Sequence, residues 1–150
     1  MSGVTSSVFP TVVGSVANAS FAAVSGVVVD VTHATDAPGI DENQEGSHHL
    51  GTGPVISRGA TLSPIVFELL AEAASKADIP HTFSGSGNRT GTDADAIQIT
   101  RSGIPAGLVS IPLRYMHSPV EMVDLDDVET TVALLVAFAE TLGPDLDLSR

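Results

Sequence analysis

Gly26-Val27-Val28-Val29-Asp30-Val31 is the stretch that decides the fold. The run is continuous in β-branched residues and does not alternate with polar ones. A strand with one wet face alternates; a continuous apolar run belongs to a strand covered on both faces, as in parallel sheets flanked by helices. Ala106 to Ile111 (AGLVSI) is a second apolar strand. Between the two, Thr61 or Ser63 caps a helix. Pro64 sits in its first turn, and Ile65, Leu69, Leu70 and Ala73 recur at helical spacing to about Ala77. Asp124 caps a last helix, with Asp126, Asp127 and Glu129 where the helix dipole favours acids. Val128, Val132, Leu135, Val136 and Phe138 read as its inner stripe, and Gly143-Pro144 ends it. Strands alternating with helices predict an α/β fold, a mainly parallel sheet sandwiched by helices, in a single domain over residues 1–150.

The intervening segments read more weakly. Residues 34–59 are expected to be loop, from Pro38-Gly39, Asn43, Gly46, Gly51, Gly53 and Pro54. Ile79 to Phe83 reads as a short strand and residues 84–91 as a Gly-rich loop. Thr92 or Asp93 then caps a short helix carrying Ile97 and Ile99. Residues 145–150 are expected to fray. Residues 1–26 form an apolar segment without assigned role. It has no basic n-region for a signal peptide, and Pro10, Gly14, Asn18 and Gly26 count against a membrane span. One or two buried strands are the reading there.

Composition narrows the class. At 43% hydrophobic and 16% charged residues, the 150-residue chain is globular rather than disordered. The absence of cysteine excludes disulfide frameworks, thiolate metal sites and a Cys nucleophile, and fits a reducing, cytoplasmic setting. Net charge is −12 with Lys76 the only lysine, so neither nucleic acid nor an anionic membrane is an expected partner. That acidity reads either as a solvated face or as adaptation to high salt, where screening removes the self-repulsion. No P-loop, dinucleotide fingerprint or nucleophile elbow is present.

Few residues are candidates for chemistry. Asp30 is a carboxylate near the end of a buried strand, so it needs a cation, loop amides or an arginine. His117 follows the second strand in Arg-Tyr-Met-His-Ser-Pro, at a strand end where ligands gather in open α/β sheets; the plainer reading is a structural or surface histidine. His48-His49 is expected to be an exposed pair on a loop and not a metal site. Asp93 reads as a helix N-cap.

Four stretches taken in order carry more than any of them singly: Val29-Asp30-Val31-Thr32-His33-Ala34-Thr35-Asp36, Gly51-Thr52-Gly53-Pro54, Gly91-Thr92-Asp93-Ala94-Asp95-Ala96-Ile97 and Ser110-Ile111-Pro112-Leu113-Arg114-Tyr115-Met116-His117-Ser118-Pro119. Over residues 27–142 this set resembles the C-terminal catalytic segment of the glutamyl/leucyl (TET-type) two-metal aminopeptidases, whose members are often labelled endoglucanases. The resemblance implies a partial zinc-peptidase-like domain. It implies Asp30 as a ligand of one metal and His117 of the other, with His33 and Asp36 as outer-shell groups. Gly53, Pro54, Thr92 and Asp93 would shape the substrate pocket. Zn²⁺ or Co²⁺ is the implied cofactor, a peptide the substrate, and release of N-terminal residues by metal-activated water the parent activity.

The family's His-x-Asp motif and bridging Asp have no counterpart here. Its Glu-Glu pair should precede Asp30, yet no acidic residue does. No catalytic residue is therefore assigned, and the chain alone is expected to be inactive. Its expected partners are a complementing N-terminal half or further copies of itself in a homo-oligomer. The alternative is a non-catalytic, self-associating structural domain derived from that family.

Overall fold

The computed structural model describes residues 25–143 together with Leu146 and Leu148. In chain order the elements are β1 (Gly26–His33), α1 (Glu42–Glu45), β2 (Val55–Gly59), α2 (Pro64–Lys76), β3 (Thr82–Ser86), α3 (Ala94–Ile97), β4 (Ala106–Arg114), β5 (Met122–Val123) and α4 (Leu125–Thr141). The two apolar runs lie side by side. β1 and β4 pair in parallel from Gly26↔Ala106 to His33↔Leu113. β2 lies antiparallel on the other flank of β4, from Val55↔Ser110 to Ser57↔Leu108. β3 runs parallel to β2, which gives the order β1-β4-β2-β3, with β5 against the end of β4. The sheet is mixed, but its two longest pairings are parallel.

Helices cover both faces. On one, Ile56, Val66, Leu70, Ala73, Ala74, Val109, Leu134 and Phe138 join β2 and β4 to α2 and α4. Each fully buried Leu or Ile there contributes about 2 kcal/mol. On the other, Val28, Leu62, Ala94, Ala106 and Leu108 form a smaller core under α3. Gly107 breaks the bulky run of β4 because α2 comes too close: a Cβ there would meet Val66 Cγ1 at 2.5 Å and Leu70 Cδ1 at 3.2 Å.

β4 also runs three residues beyond the expected Ile111, straight through Pro112. Gly26 N–H donates to Pro105 O and Ala34 N–H to Leu113 O, so odd residues of β4 bond β1 and even ones face β2. Pairing with β2 ends at Ser110 and pairing with β5 begins at Leu113. Pro112 faces that gap, where a missing N–H breaks no ladder bond.

Several expectations need correction. The supposed loop 34–59 contains α1 and all of β2. β3 spans Thr82–Ser86, not Ile79 to Phe83, so the Gly-rich loop begins later than read. α3 stops at Ile97, and Ile99 is exposed. Asp93 makes no side-chain capping bond; the loop before α3 is instead tied by Asp95. The inner face of α4 is Asp127, Thr131, Leu134 and Phe138, while Val132 and Val136 point outward. Within the segment expected to fray, Leu148 is buried in the main core and Leu146 packs against it. The reading of residues 1–24 falls outside the described residues.

Candidate functional site

Because β1 and β4 are parallel neighbours, the segments after both strands leave the same edge of the sheet. Asp30 lies within β1, three residues short of its end, in register with buried Ser110. Its Oδ1 accepts from the N–H of Val31 at 2.8 Å. Alternation along the strand puts Asp30 on the α3 face with Val28, and sends His33 to the opposite face. His117 follows β4 with φ of +63°. Its N–H donates to Glu121 Oε1 at 2.6 Å, which fixes the backbone and leaves the side chain exposed.

Asp36 is committed elsewhere. Its carboxylate takes a two-pronged contact from Arg114, with Nε to Oδ1 at 3.0 Å and Nη2 to Oδ2. The Arg114 hydrogen bond holds the Asp36 carboxyl below the usual carboxylate range. The pair ties the loop after β1 to the last residue of β4.

The expected exposed pair His48-His49 divides. His48 is 1% exposed. Thr35 N–H donates to His48 O at 2.8 Å and His48 N–H to Thr35 Oγ1 at 2.9 Å. Nδ1 of His48 meets Thr82 Oγ1 at 2.8 Å, and Nε2 has no hydrogen-bond partner among the described residues. Burial pushes its pKa down, so the ring is neutral at pH 7. His49 stays half-buried and pairs with Glu42. A histidine on a loop rich in polar residues gave no sign that its neighbour would be core.

The Gly51–Pro54 loop is held from below. Asp127, 1% exposed in the first turn of α4, accepts from Gly53 N–H at 2.7 Å and Gly51 N–H at 2.8 Å. Burial, joined by repulsion from Asp124 and Asp126, nevertheless prevails over those two bonds and raises its pKa. From above, Pro80 crowds Gly53: at φ of +84°, a Cβ would lie 2.0 Å from the Pro80 carbonyl oxygen. A cleft of about 330 Å³ lies here, lined by Gly51, Gly53, Pro80, Asp126, Asp127, Glu129 and Thr130.

Thr92 and Asp93 are at the other end of the sheet. The loop that holds them follows β3, whose Ser86 pairs with Gly59. Its ties run to Thr61, and Ser63 N–H donates to Ala106 O at the start of β4. Asp95 organises the loop by accepting from Thr90 N–H, Gly91 N–H and Thr61 Oγ1 at 3.0, 2.9 and 3.0 Å. Burial alone would raise the Asp95 pKa; these bonds prevail and lower it. That loop leads into α3, whose Ala94 packs with Val28 and Leu108 over the first part of β4, whereas the Tyr115–Ser118 turn follows the strand's last residue, Arg114. The structure thus gathers Asp36, Arg114 and His117 towards one end of β4, sets Gly53 and Pro54 at the start of β2 beside Ser110, and keeps Thr92 and Asp93 apart.

Asp30 and His117 do not by themselves fit a metal pair. Among the described residues no three His, Cys, Asp or Glu side chains are grouped to hold an ion. A tetrahedral catalytic zinc takes three protein ligands.

An α/β sheet whose strand-end segments carry this ordered set of motifs defines a metallopeptidase-type domain. The M42 glutamyl aminopeptidase family model matches residues 12–134, and the chain belongs to that family. It is 40% identical over 121 residues to a lysyl aminopeptidase of Pyrococcus furiosus, covering 79% of this chain and 34% of that protein. The aminopeptidase APDkam598 of Desulfurococcus kamchatkensis aligns with TM-score 0.71 and 38% identity over 81% of this chain and 35% of its own. A TET aminopeptidase from the archaeon Thaumarchaeota archaeon SCGC AB-539-E09 gives TM-score 0.71 and 30% identity over 79% of this chain and 33% of its own. The chain spans about a third of the length of these relatives. The family is metal-dependent. Among the described residues no helix is long and apolar enough to cross a membrane.

Proposed function

We propose that this chain is the C-terminal part of an aminopeptidase catalytic domain, contributing Asp30 and His117 to a two-metal site completed by residues it does not itself supply. The observation that supports this reading is the parallel pairing of β1 with β4, which puts Asp30, three residues before the end of β1, and His117, three residues past the end of β4, towards the same edge of the sheet. Zn²⁺ or Co²⁺ is the proposed metal, and the N-terminus of a short peptide the proposed substrate. Gly53 and Pro54 stand nearer to that edge than Thr92 and Asp93, so they are the stronger candidates for the substrate pocket. Asp36 is paired with Arg114, so it acts on the site through the loop that this pair anchors, while His33 faces away from Asp30.

No acidic residue precedes Asp30, so this chain has no group there to serve as general base. The proposed partner is a complementing N-terminal half, and homo-oligomer formation rests on the resemblance to the TET-type group. A cytoplasmic location is proposed from the absence of cysteine. The test is an assay of aminoacyl-p-nitroanilides with Zn²⁺ or Co²⁺. The expected result is no turnover by the chain alone, and metal-dependent turnover with a separately expressed N-terminal half of a relative, lost in His117→Ala. Turnover by the chain alone that survives His117→Ala would refute both the incomplete site and the role of His117.

A further inference from the structure

Helix α4 is apolar on two faces. The inner one packs against α2 and the sheet through Leu134 and Phe138. On the outer one, Leu125, Val132 and Val136 recur at intervals of seven and four residues and are 71%, 56% and 53% exposed. Half-buried Val128 and Leu135 flank them. Val120, Met122 and Val123, also exposed, continue the surface in sequence just ahead of the helix. A solvent-facing helix surface is normally polar, and a continuous exposed apolar stripe marks a place of association. The charged side chains that this segment itself places beside the stripe are all acidic: Glu121, Asp126, Glu129 and Glu140; Arg114, opposite Met122 on β4, is already paired with Asp36. From Ser118 to Ser149 the sequence holds no Lys, Arg or His.

We propose that the outer face of α4 docks a basic amphipathic helix, one that lays an apolar stripe along Leu125, Val132 and Val136 and sets lysines or arginines against the acidic border. Charge decides this occupant over a second copy of the chain. Two copies packed through this face would oppose acid to acid, each in a molecule of net charge −12. A basic helix removes that repulsion and gains steering from the same field. The apolar stripe itself lies outside the residues proposed for the aminopeptidase site, although its acidic border reaches that site: Glu121 holds the His117 backbone, and Asp126 and Glu129 line the cleft at Gly53.

The experiment uses the full chain and three fluorescein-labelled synthetic helical peptides, read by anisotropy at about 0.15 M salt. The first carries leucines on one face and lysines on its flanks. The second has the same composition scrambled, and the third replaces lysine by glutamate. The expected result is binding of the first about tenfold tighter than the second, no binding of the third, and loss of about tenfold in the double variant Val132→Ser/Val136→Ser. Glu129→Lys should weaken the lysine peptide. Both valines are solvent-exposed, so the fold should survive, as circular dichroism will show; Leu125→Ser provides a second variant at the most exposed position. Equal binding of scrambled and amphipathic peptides would reduce the effect to bulk charge and overturn the proposal. So would unchanged binding in the valine double variant and in Leu125→Ser, or a wild-type dimer in sedimentation that Val132→Ser/Val136→Ser converts to monomer.

Discussion

Replacing Asp127 by alanine should be among the most damaging single changes in this chain that touch no apolar core residue. The side chain is buried, and its two oxygens take the Gly51 and Gly53 amides. Hydrogen bonds to a charged group are worth about 1.5–3 kcal/mol each, and a buried N–H left unpaired costs about 1–3 kcal/mol. Against this, burial already raises the Asp127 pKa, so deleting the carboxylate recovers part of its desolvation cost. Water entering from the adjacent cleft can satisfy part of the remainder. The balance is a loss of about 3 kcal/mol, or roughly 6–12 °C in Tm for a domain of this size. Asp127→Asn should cost less, since one oxygen remains, but its NH₂ group would face an amide donor. Urea unfolding gives the free energy, and amide exchange at Gly51 and Gly53 gives the local effect. The pH dependence adds a signature. A carboxyl whose folded pKa is raised contributes stability that is fully present below the unfolded value near 3.8 and is lost as pH rises through the folded value. Subtracting the Asp127→Asn curve from wild type should therefore leave a stability difference that falls with pH over that window. An Asp127→Ala protein as stable as exposed Asp126→Asn, with unchanged exchange at both glycines, would sink the reasoning.

His48 should make the fold acid-sensitive. Burial depresses its folded pKa, so its contribution is present above the unfolded value near 6.5 and is lost as pH falls through the folded value. In His48→Gln, urea midpoints at pH 7.5 and 5.5 should differ less than in wild type; an equal difference would exclude His48 as the cause. Gly53 and Gly91 provide a matched pair, both at positive φ, but only Gly53 has backbone in the way of a Cβ. Gly91→Ala should cost about 1 kcal/mol and Gly53→Ala distinctly more, and equal melting temperatures would contradict the clash. Eighteen acids against six Lys and Arg should make stability rise with NaCl or KCl, since the Debye length falls from about 30 Å at 0.01 M to about 3 Å at 1 M. A flat or falling thermal midpoint across that range would remove the repulsion argument and, with it, the reading of the acidity as adaptation to high salt.

The elements legible from sequence were those that carry their own signal. β1 and β4 are long apolar runs, and α2 has a Ser63 cap, Pro64 and a regular period. β2 and β3 were not legible as they stand. VISRG and TFSGS are five residues each, with serine, glycine and arginine among them, and they extend because a neighbouring strand pairs with them. The phase of α4 was misread because its apolar residues run round most of the helix. Asp127 and Thr131 take inward positions that a hydrophobic pattern assigns to valines; Asp127 satisfies loop amides, and Thr131 Oγ1 donates to the Asp127 carbonyl at 2.7 Å. For the candidate site, sequence proposed residues, and the topology shows how they are spaced along the sheet. The resemblance alone implies that Thr92 and Gly53 share a pocket; in the sheet Gly53 precedes β2 beside Ser110, and the loop of Thr92 follows β3 beside the end of β2.

The carboxylates divide by how far the fold consumes them. Asp36 is spent on Arg114, Asp95 on the Thr90–Gly91 amides and Asp127 on the Gly51–Gly53 amides. Each of these bonds joins segments distant in sequence or shapes a tight loop, so each stabilises the fold without any ligand. Asp30 differs: the bond its side chain accepts comes from the adjacent residue, which crosslinks nothing. His117 differs in the same way, since the fold holds its backbone through Glu121 and leaves its ring exposed. A half-buried carboxylate and an exposed imidazole that the fold does not need are what a site awaiting further ligands would retain. Asp30 and His117 are thus proposed for chemistry on what they fail to do for the structure as much as on the motifs around them.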